Sequence, residues 1–110
     1  MKIREEKNDG TSVCVLEGEV NINTSGLLRK GFDELIRRNE KKVLVDFTTV
    51  TYIDSSGLAT LIEMFQRLEK IQGHMRFCGM SENVKNIFEI TKLHKRFEIF
   101  DTRQNALEGF

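Results

Sequence analysis

The sequence predicts an α/β sandwich on a mixed, mostly parallel sheet of four to five strands, with about four helices. Three observations predict it. Short β-rich runs alternate with helix-periodic segments along the whole chain, the pattern of strand–helix–strand units. The run KVLVDF (42–47) has consecutive apolar residues, the signature of a strand covered on both faces. Near the N-terminus two strand-like runs flank Asp9-Gly10, a hairpin signal that adds one antiparallel pair to the parallel sheet.

Each element follows from its own residues. KIREEKN (2–8) reads as an edge strand with Ile3 its only apolar anchor, and SVCVLEG (12–18) as its hairpin partner. From Thr24 the period changes: Leu27, Leu28, Gly31, Phe32, Leu35 and Ile36 recur at helical spacing, with Thr24 or Ser25 able to cap the start. Arg37, Arg38, Lys41 and Lys42 follow at the C-terminal end, where cations suit the helix dipole, and read as a solvated helix end. After KVLVDF, the residues Leu58, Leu61, Ile62, Phe65 and Leu68 trace the buried face of a second helix, and Gly73 is its natural stop. HMRFCG (74–79) is a further strand. Ser81 starts a third helix whose inner face is Val84, Ile87, Phe88 and Thr91. FEIF (97–100) is a last strand, and Thr102 can cap a short helix containing Ala106, Leu107 and Phe110.

The 110 residues suit a single domain spanning 1–110, long enough to bury roughly two-thirds of the surface the unfolded chain exposes. Apolar residues make up 39% and charged residues 31%, with 17 basic and 17 acidic side chains. The balanced charge argues against nucleic acid or an anionic membrane as partner. No apolar run approaches the roughly 20 residues of a membrane span, and the charged start MKIREEKNDG does not read as a signal peptide. Cys14 and Cys78 lie in apolar strand-like runs outside any C-x-x-C pair and read as buried thiols of a cytoplasmic protein. His74 and His94 stand apart from each other and from the cysteines and read as surface residues, so neither a metal nor a cofactor is expected.

The chemistry-bearing stretch is YIDSSGLATL (52–61), which sets an acid, two serines and a glycine before an apolar helix. A nucleophile elbow needs glycine two residues before the serine, and here Ile53 precedes Ser55 and Asp54 precedes Ser56. There is no S-x-x-K, no P-loop and no G-x-G-x-x-G. A helix cap accounts for Asp54 or Ser55 taken singly, but one polar residue would suffice. A phosphate acceptor is a further reading that stands beside the cap. A serine at a helix start sits among unpaired N–H groups at the positive end of the dipole. A phosphoryl group adds about −1.5 to −2 charges there. The fold tolerates that charge, while a partner docked over the helix end meets it.

These residues resemble the core of the STAS domain (sulfate transporter and anti-sigma factor antagonist). YIDSSGL after KVLVDFTTV carries the likeness, VLEGEVN (15–21) is similar to the family's L-x-G-E-L-D segment, and SENVKNIFEITKLHKRFEIF (81–100) resembles its closing region. The stand-alone domain looks like the bacterial anti-sigma factor antagonists. The resemblance implies a module without catalytic residues that binds an anti-sigma factor with serine kinase activity and so frees a sigma factor. It implies that the kinase, with its own ATP and magnesium, phosphorylates the second residue after the aspartate, Ser56, with Ser55 the adjacent alternative. It further implies release of the modified form and its restoration by a PP2C-type phosphatase. Gly57 would give backbone room at the helix start. The family's aspartate in G-E-L-D is Asn21 here, which keeps the shape and loses the charge beside the acceptor.

Asn21, Ile22, Asn23 and Thr24 are expected to form a loop beside Ser56 that shares the partner surface with Asp54, Ser55 and Gly57; a plain turn with a cap suits the same residues. On the second helix, Thr60 and Met64 are expected to be exposed and to join that surface. An alternative function is a non-phosphorylated accessory subunit of a transport ATPase, or part of a stress-signalling scaffold, in which Ser56 only caps a helix. The basic group Lys92, His94, Lys95 and Arg96 reads as a solvated connection.

Overall fold

Asp9 and Gly10 both take positive φ, 47° and 84°, as a two-residue type I′ hairpin requires. They join β1 (Lys2–Asn8) to β2 (Thr11–Val20). The remaining elements, in a computed structural model that describes residues 1–110, alternate as the sequence predicts. They are α1 (Ser25–Arg37), β3 (Lys42–Ile53), α2 (Ser55–Lys70), β4 (His74–Cys78), α3 (Glu82–Ile90), a 3₁₀ turn (Leu93–Lys95), β5 (Glu98–Phe100) and α4 (Arg103–Leu107). The five strands lie in the order β1-β2-β3-β4-β5. The first pair is antiparallel and the other three pairs are parallel.

The two faces of the sheet are covered unequally. On the near face, Cys14, Leu16, Val43, Val45 and Phe47 meet Leu28, Phe32 and Leu35 of α1, Leu61, Met64 and Leu68 of α2, and Val84 and Phe88 of α3. Phe47, Phe77 and Phe97 pack edge to face, with centroids 5.8 and 5.0 Å apart, each pair adding about 1 kcal/mol to its burial. On the far face, Val13, Val15, Leu44 and Cys78 are closed over by Ala106 of α4 with Phe100, Leu107 and Phe110. Arg76 holds that cover down. Its guanidinium lies over the rings of Phe100 and Phe110, 5.2 and 4.6 Å from their centroids, and donates to the carbonyls of Ala106 and Glu108.

Several expectations shift in detail. β3 runs on from Phe47 to Ile53, because the β-branched stretch Thr48–Thr51 continues the ladder beside Glu17–Val20. Gln72, with φ 57°, makes the left-handed turn after α2, one residue before Gly73. Thr91 faces solvent as the C-cap of α3, its hydroxyl donating to the Ile87 carbonyl. Phe110 lies beyond the end of α4 and packs on the far face. Both cysteines are buried and free, and burial pushes each thiol up to about 12. His74 and His94 are exposed. Arg38 pairs with Glu5 and Arg37 with Glu34, as a solvated helix end would. Arg96 departs from a purely solvated connection by lying over the Phe65 ring, 5.3 Å from its centroid.

One polar cluster ties α4 to the sheet. Arg103 donates through Nη2 and Nε to Asp46 Oδ2 and through Nη1 to Glu6 Oε1, at 2.8, 3.2 and 2.7 Å. Thr48 donates its N–H and hydroxyl to Asp46 Oδ1. Burial alone would raise the Asp46 carboxyl, but the Thr48 and Arg103 hydrogen bonds and the guanidinium charge outweigh it and hold the group below its ordinary 3.8. A folded value below the unfolded one means that the carboxylate stabilises the fold above about pH 4, and that this contribution is lost as pH falls through the folded value. Arg103→Ala is expected to lower the unfolding free energy by about 2 kcal/mol near neutral pH. The gap to the parent should narrow below about pH 4, and urea titrations on both sides of that point read the two effects.

Candidate functional site

β2 and β3 run parallel and end together, with Val20 beside Ile53. Both chain segments that leave them, Asn21–Thr24 and Asp54, therefore emerge at one end of the sheet, where α/β folds place their sites. The Asp54 N–H donates to the Val20 carbonyl at 3.0 Å. Its side chain does more. Oδ1 accepts the N–H groups of Ser56 and Gly57 at 2.9 and 3.1 Å, which caps α2, and Oδ2 accepts the N–H of Ile22 at 3.2 Å. One carboxylate thus fixes the helix start and the neighbouring loop to each other.

The loop is otherwise held by its own side chains. Asn21 Oδ1 accepts the N–H groups of Asn23 and Thr24 at 2.9 and 3.2 Å, an Asx turn. The Thr24 hydroxyl accepts from the Asn21 N–H and donates to the Glu19 carbonyl, both at 2.8 Å. Thr24 stands at the N-cap of α1, yet its side chain caps no helix N–H because its oxygen is already engaged upstream. The turn leaves Ile22 73% exposed, an apolar side chain pointing away from any core. Asn21 uses only its oxygen in these bonds, so the turn does not depend on which of asparagine or aspartate stands there.

Gly57 is buried, and its expected place on the partner surface is corrected. A Cβ there would lie 2.6 Å from Val20 Cγ1, 2.8 Å from Ile53 Cγ1 and 2.9 Å from the Val20 carbonyl. The missing side chain lets α2 begin directly on the ends of β2 and β3. Thr60 and Met64 are corrected too: they are 2% and 1% exposed. Thr60 donates its hydroxyl to the Ser56 carbonyl at 3.0 Å, and Met64 packs in the near-face core. The buried face takes in Gly57, Leu58, Thr60, Leu61, Met64 and Leu68, so Leu58, Leu61 and Leu68 lie where the sequence puts them, while Ile62 and Phe65 are only half-buried. Helical spacing from Gly57 and Leu61 marks both corrected positions as inward. It also marks Ala59, exposed one turn beyond Ser55, as an outward residue that the sequence reading passed over.

With Asp54 capping α2, neither serine is needed for that task. Ser55 is exposed and Ser56 half-buried. Neither hydroxyl bonds another protein group, and the Ser56 oxygen is not fully buried. Beside them, α1 and α2 are bridged on the surface by Arg29–Glu63 and Arg67–Asp33, exposed pairs of small energetic weight. No three histidine, cysteine or acidic side chains converge as a metal site would require.

Comparisons with known proteins place the fold. The family model described as the STAS domain matches residues 2–106. The anti-sigma-B factor antagonist of Listeria monocytogenes is 31% identical over 100 residues, covering 90% of this chain and 86% of the relative. The anti-sigma F factor antagonist of Paenibacillus polymyxa is 27% identical over 108 residues, covering 97% and 92%. Among solved structures, an anti-sigma factor antagonist from Mycobacterium paratuberculosis superposes with a TM-score of 0.89 at 24% identity, covering 96% and 90%. The Bacillus cell fate determinant SpoIIAA in its phosphorylated form superposes at 0.76 with 19% identity, covering 97% of each chain. These two likenesses establish the fold.

Three substitutions test the construction of the site. Gly57→Ala is expected to cost about 2 to 3 kcal/mol in chemical denaturation. Gly26→Ala, whose Cβ meets nothing within 4 Å, should gain about 0.5 kcal/mol. Asn21→Asp should leave the unfolding midpoint within about 0.5 kcal/mol of the parent, because the oxygen that builds the turn is retained.

Proposed function

The chain belongs to the STAS domain family, and on that premise we propose that it is an anti-sigma factor antagonist whose partner binding is switched by phosphorylation of Ser56. The observation that carries the reading is a half-buried Ser56 whose hydroxyl bonds no protein group, at a helix start tied to a loop that presents the exposed Ile22. Capping is already done by Asp54, so a second hydroxyl at this point calls for another use.

In the unmodified state the docking surface is the outward face of the α2 start, with Ser55, Ser56 and Ala59, together with Ile22 and Asn23 of the loop. Its side chains are small apart from one exposed apolar residue, Ile22, and it suits a partner that buries that residue. The partner is an anti-sigma factor with serine kinase activity. From the ATP held by that kinase, the γ-phosphoryl group passes to Ser56 Oγ. A new O–P bond forms as the bond to ADP breaks, and the hydroxyl proton leaves to a base on the kinase. The product carries about two negative charges at the positive end of α2, which the helix dipole accommodates. The domain stays folded while a partner seated over the same spot meets uncompensated charge in a desolvated contact. A PP2C-type phosphatase would hydrolyse the ester and reset the surface.

No histidine or lysine bonds the Ser56 hydroxyl, which supports a substrate role for the serine over a nucleophilic one. No helix is long and apolar enough to cross a membrane, and transcriptional partners of this kind belong to the cytoplasm. The accessory-subunit reading is not favoured, since the relatives compared are named as anti-sigma factor antagonists.

Phosphopeptide mapping of the protein from its own cells, in growth and in stress, is the direct test. Phosphate on Ser56 that changes with condition is the expected result, phosphate on Ser55 moves the acceptor by one residue, and none in any condition removes the switch. With the kinase in hand, Ser56→Ala should bind it constitutively and Ser56→Glu about 100-fold more weakly. Equal affinity for both would overturn the proposal.

A further inference from the structure

The loop Asn21–Thr24 makes one hydrogen bond to the β3–α2 junction, from the Ile22 N–H to Asp54 Oδ2. Its other hydrogen bonds are internal, reach back to Glu19, or run forward into the start of α1, where the Ser25, Leu27 and Leu28 N–H groups donate to the Asn21 and Thr24 carbonyls and the Ser25 hydroxyl to the Ile22 carbonyl at 3.5 Å. The opposite oxygen of the same carboxylate holds the N–H groups of Ser56 and Gly57. From this geometry we infer that Asp54 is a relay: a phosphate on Ser56 displaces its carboxylate, breaks the Ile22 bond and loosens the exposed Ile22 at the tip of the loop. The inference rests on the reading that Ser56 receives phosphate and adds how that phosphate reaches the rest of the surface.

The argument is steric and electrostatic. Ser56 is the second residue of α2, so the amides nearest a phosphate on its Oγ are its own and that of Gly57. Asp54 Oδ1 already occupies both. A dianionic phosphate competes for these donors and repels the carboxylate beside it. The two carboxylate oxygens belong to one rigid plane. Oδ1 cannot yield the helix amides without moving Oδ2, so the bond to Ile22 goes with them. The helix itself survives, because the phosphate takes over the cap. The Ile22 N–H has no replacement acceptor, and with a side chain 73% exposed Ile22 keeps only the long 3.5 Å contact of the Ser25 hydroxyl with its carbonyl, while the Asn21 turn on either side stays closed. Phosphorylation then loosens the apolar anchor of the surface as well as adding charge to its centre. Asp54 acts here as a positioning residue for Ile22.

The test is amide hydrogen exchange, read by NMR on the full chain with phosphoserine encoded at position 56, against the unmodified chain. Exchange at the Ile22 amide is expected to speed up about tenfold or more, the loss of one hydrogen bond to a charged acceptor. The Leu58 amide, bonded to the Asp54 backbone carbonyl, should change less than about twofold and serves as the folding control. Asp54→Asn separates the relay from the cap. Asparagine keeps an oxygen for Ser56 and Gly57 and is itself a strong N-cap, but turns an amide donor toward the Ile22 N–H. In that variant Ile22 should already exchange fast, with no further rise when phosphoserine is present. An unchanged Ile22 rate in the phosphoserine chain overturns the relay, as does a phosphate-dependent rise that persists in Asp54→Asn. Because the phosphoserine is encoded, these outcomes are independent of whether cells modify Ser56, which the phosphopeptide map answers separately.

Discussion

The carboxylate of Asp54 sits where three parts of the chain meet, and its hydrogen bonds set the geometry of all three. Its backbone N–H closes the ladder to the Val20 carbonyl, one side-chain oxygen caps α2, and the other holds the loop that follows β2. A neutral side chain of the same shape could fill one of the two side-chain roles. Only a carboxylate offers an acceptor on both sides. The arrangement therefore ties the choice of residue to the topology: two parallel strands must end side by side so that one group can reach both exits.

Close approach makes the same demand from the other side. α2 can start on the ends of β2 and β3 only because Gly57 brings no Cβ against Val20 and Ile53. That packing moves the helix's first turn inward and sets its phase, which in turn decides that Thr60 and Met64 point to the core and Ser55 and Ala59 to solvent. With capping assigned to Asp54, the serines are left as polar groups without structural work. The site is thus defined as much by which tasks are already filled as by which residues are present.

Most of the fold was legible in the sequence. The Asp9-Gly10 hairpin, the two-sided strand at KVLVDF and the helix starts at Ser81 and Thr102 rest on local chemistry that survives folding unchanged. The extension of β3 through Thr48–Tyr52 was not, because those residues alternate irregularly where bulges shift the register between β2 and β3. At the site, Asp54 as a cap was visible as a residue type. Its bond to Ile22 spans 32 positions and is created by the parallel ends of β2 and β3. The placement of Thr60 and Met64 missed for a different reason. The expected stripe of Leu58, Leu61, Ile62, Phe65 and Leu68 differs by a fraction of a turn from the buried one, which keeps Leu58, Leu61 and Leu68 and turns toward Thr60 and Met64, and the buried glycine at the first turn sets that phase.

The clamp of Arg103 on Asp46 and Glu6 has a consequence for biogenesis. Glu6 and Arg103 are 97 positions apart, so the cover of the far face is made by residues synthesised after every strand of the sheet. Until then Val13, Val15, Leu44 and Cys78 have no apolar partners on that side, although the hairpin that carries the first two has long since left the ribosome. The near face, with three helices supplied in order along the chain, can consolidate as it emerges. During translation the domain is therefore a half-covered sheet, sticky on one side only. The charged edge of β1, rich in lysine, arginine and glutamate, then guards the growing chain against pairing with its neighbours on the same polysome.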